Sequence, residues 1–328
     1  MTPEQVRSYL PVIARYTGAI CFTGGEPFLY HREITELTAF AKGLGLRVSL
    51  VTGAGWVRDE AVARFRVQEL VGAGLDDLAI SWDTFHEEQA ERAWSVLLAR
   101  VAVEEGLRVT VRSVVTAPHD CSTYQAEFRK LPVRFETLPL IRLGRATSIP
   151  MGHSERQANP VKGPCNVVLN PVIDYDGRVY ACAGPAYYSA PHSPLVLGNA
   201  EQEPLASILE RARHDPVLEV ISLAGPYGLY VLLKESGQAG LLRERNGYSS
   251  ICDLCQDLTN SLEIVGELRE RLAEPAARAM IEALRLRQNT PAEGGAGPTP
   301  SGYSWGGRGR AIRGRWANWR HKLLSARS

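Results

Sequence analysis

No stretch of this 328-residue chain approaches the roughly 20 consecutive apolar residues that a membrane-spanning helix needs. The N-terminus, Met1-Thr2-Pro3-Glu4-Gln5-Val6, also lacks the basic segment and apolar core of a secretory signal. A cytoplasmic location is the expectation, and in that setting six cysteines are ligands, catalysts or core fillers before they are disulfide partners. No internal repeat is evident. Acidic residues are missing from Ser301–Ser328, which holds seven Lys/Arg. With a net charge of +1 for the whole chain, the first 300 residues therefore sum to −6 (1 − 7), so the body is mildly acidic and the tail basic.

What is present is enough apolar sequence, 45% against 22% charged, for one large core or two smaller ones. From Gly18 to about Leu140, short apolar runs alternate with amphipathic segments. The runs are Ala19 to Phe22, Leu46 to Val51, Leu78 to Ser81, Leu107 to Val115 and Val133 to Leu140. Between them, Glu33 to Lys42, Asp59 to Val71, His86 to Glu105 and Ser122 to Lys130 predict helices. This βα pattern predicts a parallel sheet, with functional groups at the carboxyl ends of its strands. After Pro150 the pattern changes. Two β-rich stretches between Asn166 and Cys182 flank the hairpin signal Asp176-Gly177, and helices are expected over Pro204–Arg213, Asn260–Leu272 and Ala276–Arg287. The division expected is 1–150, 151–288, a Gly/Pro-rich linker over 289–310 and a tail helix over 311–328.

Three features of the first region could carry chemistry. Thr23-Gly24-Gly25-Glu26-Pro27 follows the first strand: paired glycines let a ligand approach the backbone and Glu26 can bind a cation, although a tight βα turn explains the same residues. Ser81 and Asp83 end another strand, where they could hydrogen-bond a polyol; Asp83 or Thr84 could instead cap the next helix, Thr84 with Glu87 fitting a capping box. Arg112 lies inside an otherwise hydrophobic strand, and a buried guanidinium needs an anionic partner or a wet cavity.

The cysteines form a pattern of their own. The hairpin at Asp176-Gly177 can bring Cys182 back toward Cys165, and Cys252-Asp253-Leu254-Cys255 supplies two more thiols. Four thiolates suit tetrahedral zinc or an iron–sulfur cluster, and the spacing does not choose between them; a redox Cys-x-x-Cys with two core cysteines is the plainer alternative. Cys21 and Cys121 read as spare residues.

Together these features resemble the radical S-adenosylmethionine (SAM) superfamily over most of residues 1–270. Gly24, Gly25 and Glu26 are similar to the family's motif for the amino group of SAM. Ser81 and Asp83 fall where it places ribose contacts, and Arg112 where related enzymes bind the SAM carboxylate. Leu143-Gly144-Arg145-Ala146 resembles the exit from the last barrel strand. Cys165, Gly177, Cys182, Cys252 and Cys255 match the Twitch extension, a shorter version of the SPASM domain, which carries one auxiliary [4Fe-4S] cluster. The resemblance implies an α/β fold, a partial (β/α)6 TIM-like barrel with its first strand missing or incomplete, plus a small α+β cluster-binding domain. It also implies reductive cleavage of SAM to a 5'-deoxyadenosyl radical, abstraction of a substrate hydrogen, peptide maturation as a subclass, and an electron donor such as flavodoxin or ferredoxin.

Two departures stand out. The family's Thr-Asn-Gly is here Thr52-Gly53-Ala54-Gly55, and its catalytic Cys-x3-Cys-x2-Cys occurs nowhere. A catalytic [4Fe-4S] cluster is therefore expected only in a longer chain. Met1 to Glu4 resembles the cap and first turn of the barrel's first helix, so a start downstream of the triplet is the expectation; the alternative is a non-catalytic, degenerate relative acting as a metal-binding scaffold or partner protein. In the tail, Ile312, Trp316, Trp319 and Leu323 fall at helical spacing among Arg313, Arg315, Arg320 and Lys322, which predicts a basic amphipathic helix able to bind an acidic partner, against the alternative of a solvated tail.

Overall fold

The computed structural model describes residues 1–83, 85–86, 92–115, 122–141, 143–149 and 158–289. They fall into two compact units, one over Thr2–Leu140 and one from Ile141 onward. The tail residues 290–328, Thr84, Glu87 and Cys121 lie outside the described residues.

The first unit opens with helix α1 (Pro3–Ile13), started by a capping box in which the Thr2 hydroxyl accepts the Gln5 N–H and the Gln5 side chain accepts the Thr2 N–H. Then follow β1 (Ala19–Phe22), α2 (His31–Gly43), β2 (Arg47–Thr52), α3 (Glu60–Gly72), β3 (Asp77–Ser81), α4 (Arg92–Glu104), β4 (Arg108–Val115), α5 (Ser122–Phe128) and β5 (Arg134–Pro139). All neighbouring strands are parallel, and the sheet order is β1-β2-β3-β4-β5. The α/β architecture follows from the alternating pattern. Val48, Leu50, Leu78, Ile80, Val109 and Val111 form one core with Ala41, Ala63, Leu70, Leu98 and Ala102 from the helices. Each fully buried Val, Leu or Ile contributes roughly 1.5–3 kcal/mol. The alternate strand positions carry Ser49, Asp77, Ser81 and Arg112 among apolar Val51, Ala79 and Val114, so the polar groups of the sheet lie on its other face. Strand order that matches chain order, without the reversal of a doubly wound sheet, makes the ends of β1 to β4 a continuous row.

Within the described residues α4 runs Arg92–Glu104. Asp83 and His86 are held in a turn, with the His86 N–H donated to the Asp83 carbonyl at 3.0 Å. Leu143 to Ala146 contributes no strand: Gly144–Ser148 is a 3-10 turn.

In the second unit, β6 (Val172–Ile173), β7 (Arg178–Tyr180) and β8 (Val196–Asn199) form an antiparallel sheet, with β6 and β7 joined through the turn at Asp176-Gly177. The helices are α6 (Leu205–Arg213), α7 (Pro216–Ala224), α8 (Pro226–Glu235), α9 (Ile251–Asn260), α10 (Leu262–Ala273) and α11 (Pro275–Asn289). The sequence pattern had marked neither α7 nor α8. Both are rich in buried apolar residues, among them Val217, Leu218, Val220, Ile221, Leu229 and Leu233, so the polar alternation that signals a surface helix is weak. Pro216 and Pro226 read as breakers in sequence but sit at first helical positions, where no N–H is needed. Among the described residues no single helix is long and apolar enough to cross a membrane; α7 and α8 pass that test only as a pair bent by 112°.

Candidate functional site

The row of strand ends in the first unit gathers the residues singled out by sequence. Gly24 and Gly25 both take positive φ (82° and 54°), the conformation glycine adopts without steric cost, and so turn the chain directly after β1. Glu26 then caps the 3-10 turn Pro27–Tyr30, its Oε1 accepting the Phe28 N–H at 3.1 Å. The same carboxylate accepts the Thr52 hydroxyl at 2.9 Å and, on Oε2, the Gly53 N–H at 3.0 Å. Thr52 in turn accepts the Ala54 N–H and the Trp56 indole N–H, each at 3.0 Å. The loop after β1 is thereby tied to the end of β2, and Ala54 is held at φ 61°, a conformation uncommon for a non-glycine residue.

Asp83 is 2% exposed. Its Oδ1 accepts the Phe85 N–H at 3.0 Å and meets His86 Nδ1 at 2.7 Å, and its Oδ2 accepts the Val114 N–H at 3.1 Å from β4. Asp83 thus joins a local turn to a cross-strand clasp, while Thr84 and Glu87 of the capping-box alternative lie outside the described residues. A β-carbon built on Gly53 would lie 3.7 Å from His86 Cδ2 and 3.8 Å from Glu26 Oε2, so imidazole and carboxylate flank the same glycine. Ser81 stands opposite Arg112 in register, and Arg112 opposite Glu136. Arg112 finds its anion there, Nε to Oε2 at 3.2 Å, and Arg134 meets the other oxygen at 2.9 Å. On the same unit the Cys21 thiol is pushed up to about 12, mainly by burial, although a hydrogen bond with Ser49 and the charge of Arg112 both pull it down.

Sequence reasoning passed over Thr52, His86 and Glu136. Thr52 was visible only as part of a departure from a motif, and His86 as one residue of an expected helix. Glu136 carried no signal, because its pairing with Arg112 depends on strand register.

The second unit carries the four cysteines of the spaced pattern, near enough for their charges to act on one another. Cys252 and Cys255 are one turn apart on α9, whose start is fixed by the N–H groups of Ser249 and Ser250 on Asp253 and by the pairing of Arg245 with Asp257. Cys182 follows β7, and the backbone at Ala186 and Gly184 pulls its thiol down against the burial that raises it. The N–H of Cys165 bonds to the Ile221 carbonyl at 3.1 Å near the end of α7, and the backbone at Val167 and Val168 pulls its thiol down. Its approach depends on Gly225 at φ 74°: a β-carbon there would lie 1.7 Å from the Gly163 carbonyl oxygen.

Burial raises all four thiols, Cys182 to about 11 and Cys252 to about 12. The thiols also act on one another. Cys165 raises Cys182 and Cys252, and Cys255 responds to the other three. No basic side chain contributes to any of these shifts; Asp253 adds a further negative charge beside Cys252. As placed, however, no group of three or more His, Cys, Asp or Glu residues among the described residues stands in an arrangement that could hold a metal ion.

No protein-family model matches the chain. It is 22% identical over 275 residues to a peptide biosynthesis protein, YydG of Bacillus subtilis (strain 168), a match covering 80% of this chain and 84% of that protein.

Proposed function

We propose that this chain is a radical SAM protein of peptide maturation. The observation that carries the reading is that β1, β3 and β4 of one parallel sheet supply Glu26, Ser81 with Asp83, and Arg112, the last in register with the end of β3. In the proposal Gly24, Gly25 and Glu26 hold the SAM amino group, Ser81 and Asp83 the ribose, and Arg112 the carboxylate. The donor types fit the ligand: carboxylates face an ammonium and hydroxyls, and a guanidinium faces a carboxylate. Thr52 and Val114 hold the two carboxylates in place through the 2.9 Å and 3.1 Å hydrogen bonds already described, so these two groups are oriented before a ligand arrives. The strand order supports reading the sheet as an arc of the proposed barrel.

The four cysteines of the second unit are proposed to hold the auxiliary [4Fe-4S] cluster. Their chemistry fits such a group: four buried thiols, to whose shifts no basic side chain among the described residues contributes, ionise readily only beside a metal. Cys165, Cys182, Cys252 and Cys255 would need to close toward one another to bind it. When SAM is bound at a reduced cluster it supplies the oxidising radical that removes a substrate hydrogen. The Cys-x3-Cys-x2-Cys triplet that holds such a cluster does not occur in these 328 residues, so the chain as it stands is assigned the binding functions, and turnover only where that triplet is supplied. The relative's name, a peptide biosynthesis protein, supports a peptide as substrate. A flavodoxin or ferredoxin is the proposed electron donor.

The test is equilibrium dialysis of the chain with S-adenosyl-L-homocysteine. Saturable 1:1 binding that is lost in Glu26→Ala and weakened in Arg112→Gln supports the reading, and no binding by the folded wild-type chain would sink it.

A further inference from the structure

The first unit has a cavity of about 550 Å³ beside the Glu26 turn, lined by Phe28, Leu29, Trp56, Arg58, Val62 and Arg66 among others. Its wall is aromatic: Phe28 stacks on Trp56 with ring centroids 4.0 Å apart and planes 15° off parallel. Leu29, at 74% exposure, leaves a large apolar side chain at the edge. The two guanidiniums are held in place by neutral groups. Arg58 donates to the Gly55 and Val57 carbonyls at 2.8 and 3.1 Å. Arg66 donates to the Phe28 carbonyl at 3.2 Å and lies 5.2 Å from the centre of the Trp56 ring. Neither has a carboxylate partner among the described residues, whereas Arg64 and Arg100, on α3 and α4, are paired with Glu60 and Glu104. Glu26 also borders the cavity, but its carboxylate is already engaged by Thr52 and by the Phe28 and Gly53 amides.

We propose that this cavity binds an acidic and apolar segment of the peptide substrate, a Glu or Asp side chain meeting Arg58 and Arg66 and a neighbouring aliphatic side chain resting on Leu29 and the Phe28–Trp56 stack. Arginines fixed by carbonyls and by an aromatic ring are pre-oriented donors, which lowers the entropy lost when a carboxylate arrives. Two positive charges against one engaged carboxylate set the sign of the partner. The inference rests on the reading of a peptide substrate given above and adds its chemical class and its seat.

The test uses the full chain and two pentapeptides carrying fluorescein on the N-terminal amine, Leu-Glu-Leu-Glu-Leu-amide and its Lys counterpart assembled with the side-chain amines left free, read by fluorescence anisotropy at low salt. The acidic peptide is expected to bind about tenfold tighter than the basic one, and the preference to reverse in Arg58→Glu/Arg66→Glu. Val62→Phe, which fills the cavity without changing charge, is expected to weaken the acidic peptide. Equal binding of the two peptides to the wild type, an unchanged preference in the charge-reversed chain, or undiminished binding in Val62→Phe would each overturn the proposal. S-adenosyl-L-homocysteine binding is measured on the same samples. Its absence beside an intact charge preference would sink the SAM reading alone, and its presence without that preference would sink the peptide seat alone.

Discussion

The Thr52 hydroxyl lies 2.9 Å from both oxygens of the Glu26 carboxylate and is the link that joins the turn after β1 to the end of β2. One oxygen atom serves three groups here, since it also accepts the Ala54 and Trp56 N–H bonds. Replacing Thr52 by Val leaves two donors without their acceptor. A loss of about 1–3 kcal/mol in stability is expected, read as a lower urea midpoint with unchanged slope, while Thr52→Ser retains most of the stability.

Arg112 and Glu136 are 10% and 14% exposed at their side chains and form a pair that is mostly out of water. A double-mutant cycle with Arg112→Gln and Glu136→Gln should give a coupling of about 1–3 kcal/mol, because the two charges meet largely out of water. Glu136 also holds Arg134, so Glu136→Gln is expected to be the costlier single change.

Gly225 lets the chain leading to Cys165 cross α7 and α8. Gly225→Ala puts a methyl group 1.7 Å from the Gly163 carbonyl oxygen at a positive φ, and the segment 163–165 must move. The expected result is faster iodoacetamide labelling of Cys165, mapped by mass spectrometry, together with a lower unfolding midpoint.

Cys21 gives a pH prediction with a definite sign. Its folded thiol is raised from 9.0 to about 12, chiefly by burial. A thiol whose folded value is raised contributes stability that is fully present below the unfolded value and lost as pH climbs from about 9 through 12. The folded chain should therefore resist alkylation at Cys21 at pH 8, and stability measured from pH 8 to 10.5 should decline less steeply in Cys21→Ala than in the wild type.

The sheet was legible in the sequence because its apolar runs and amphipathic segments alternate, and each strand forms within one or two residues of its run. The hairpin at Asp176-Gly177 was equally visible through its turn chemistry. α7 and α8 were hidden, since helices this apolar give little periodic signal and their initial prolines resemble breaks. At the site, Glu26, Asp83 and Arg112 could be singled out as polar residues at strand ends or inside a strand. Their partners Thr52, His86, Val114 and Glu136 come from register and turn geometry that no local pattern specifies.

The account is tested most directly by metal analysis of the chain after anaerobic reconstitution with iron and sulfide. The prediction is about four irons and four sulfides per chain, falling sharply in Cys182→Ser and Cys255→Ser and unchanged in Cys21→Ser. Tightly bound zinc in place of iron, or iron bound equally by the Cys182 and Cys255 variants, would contradict it.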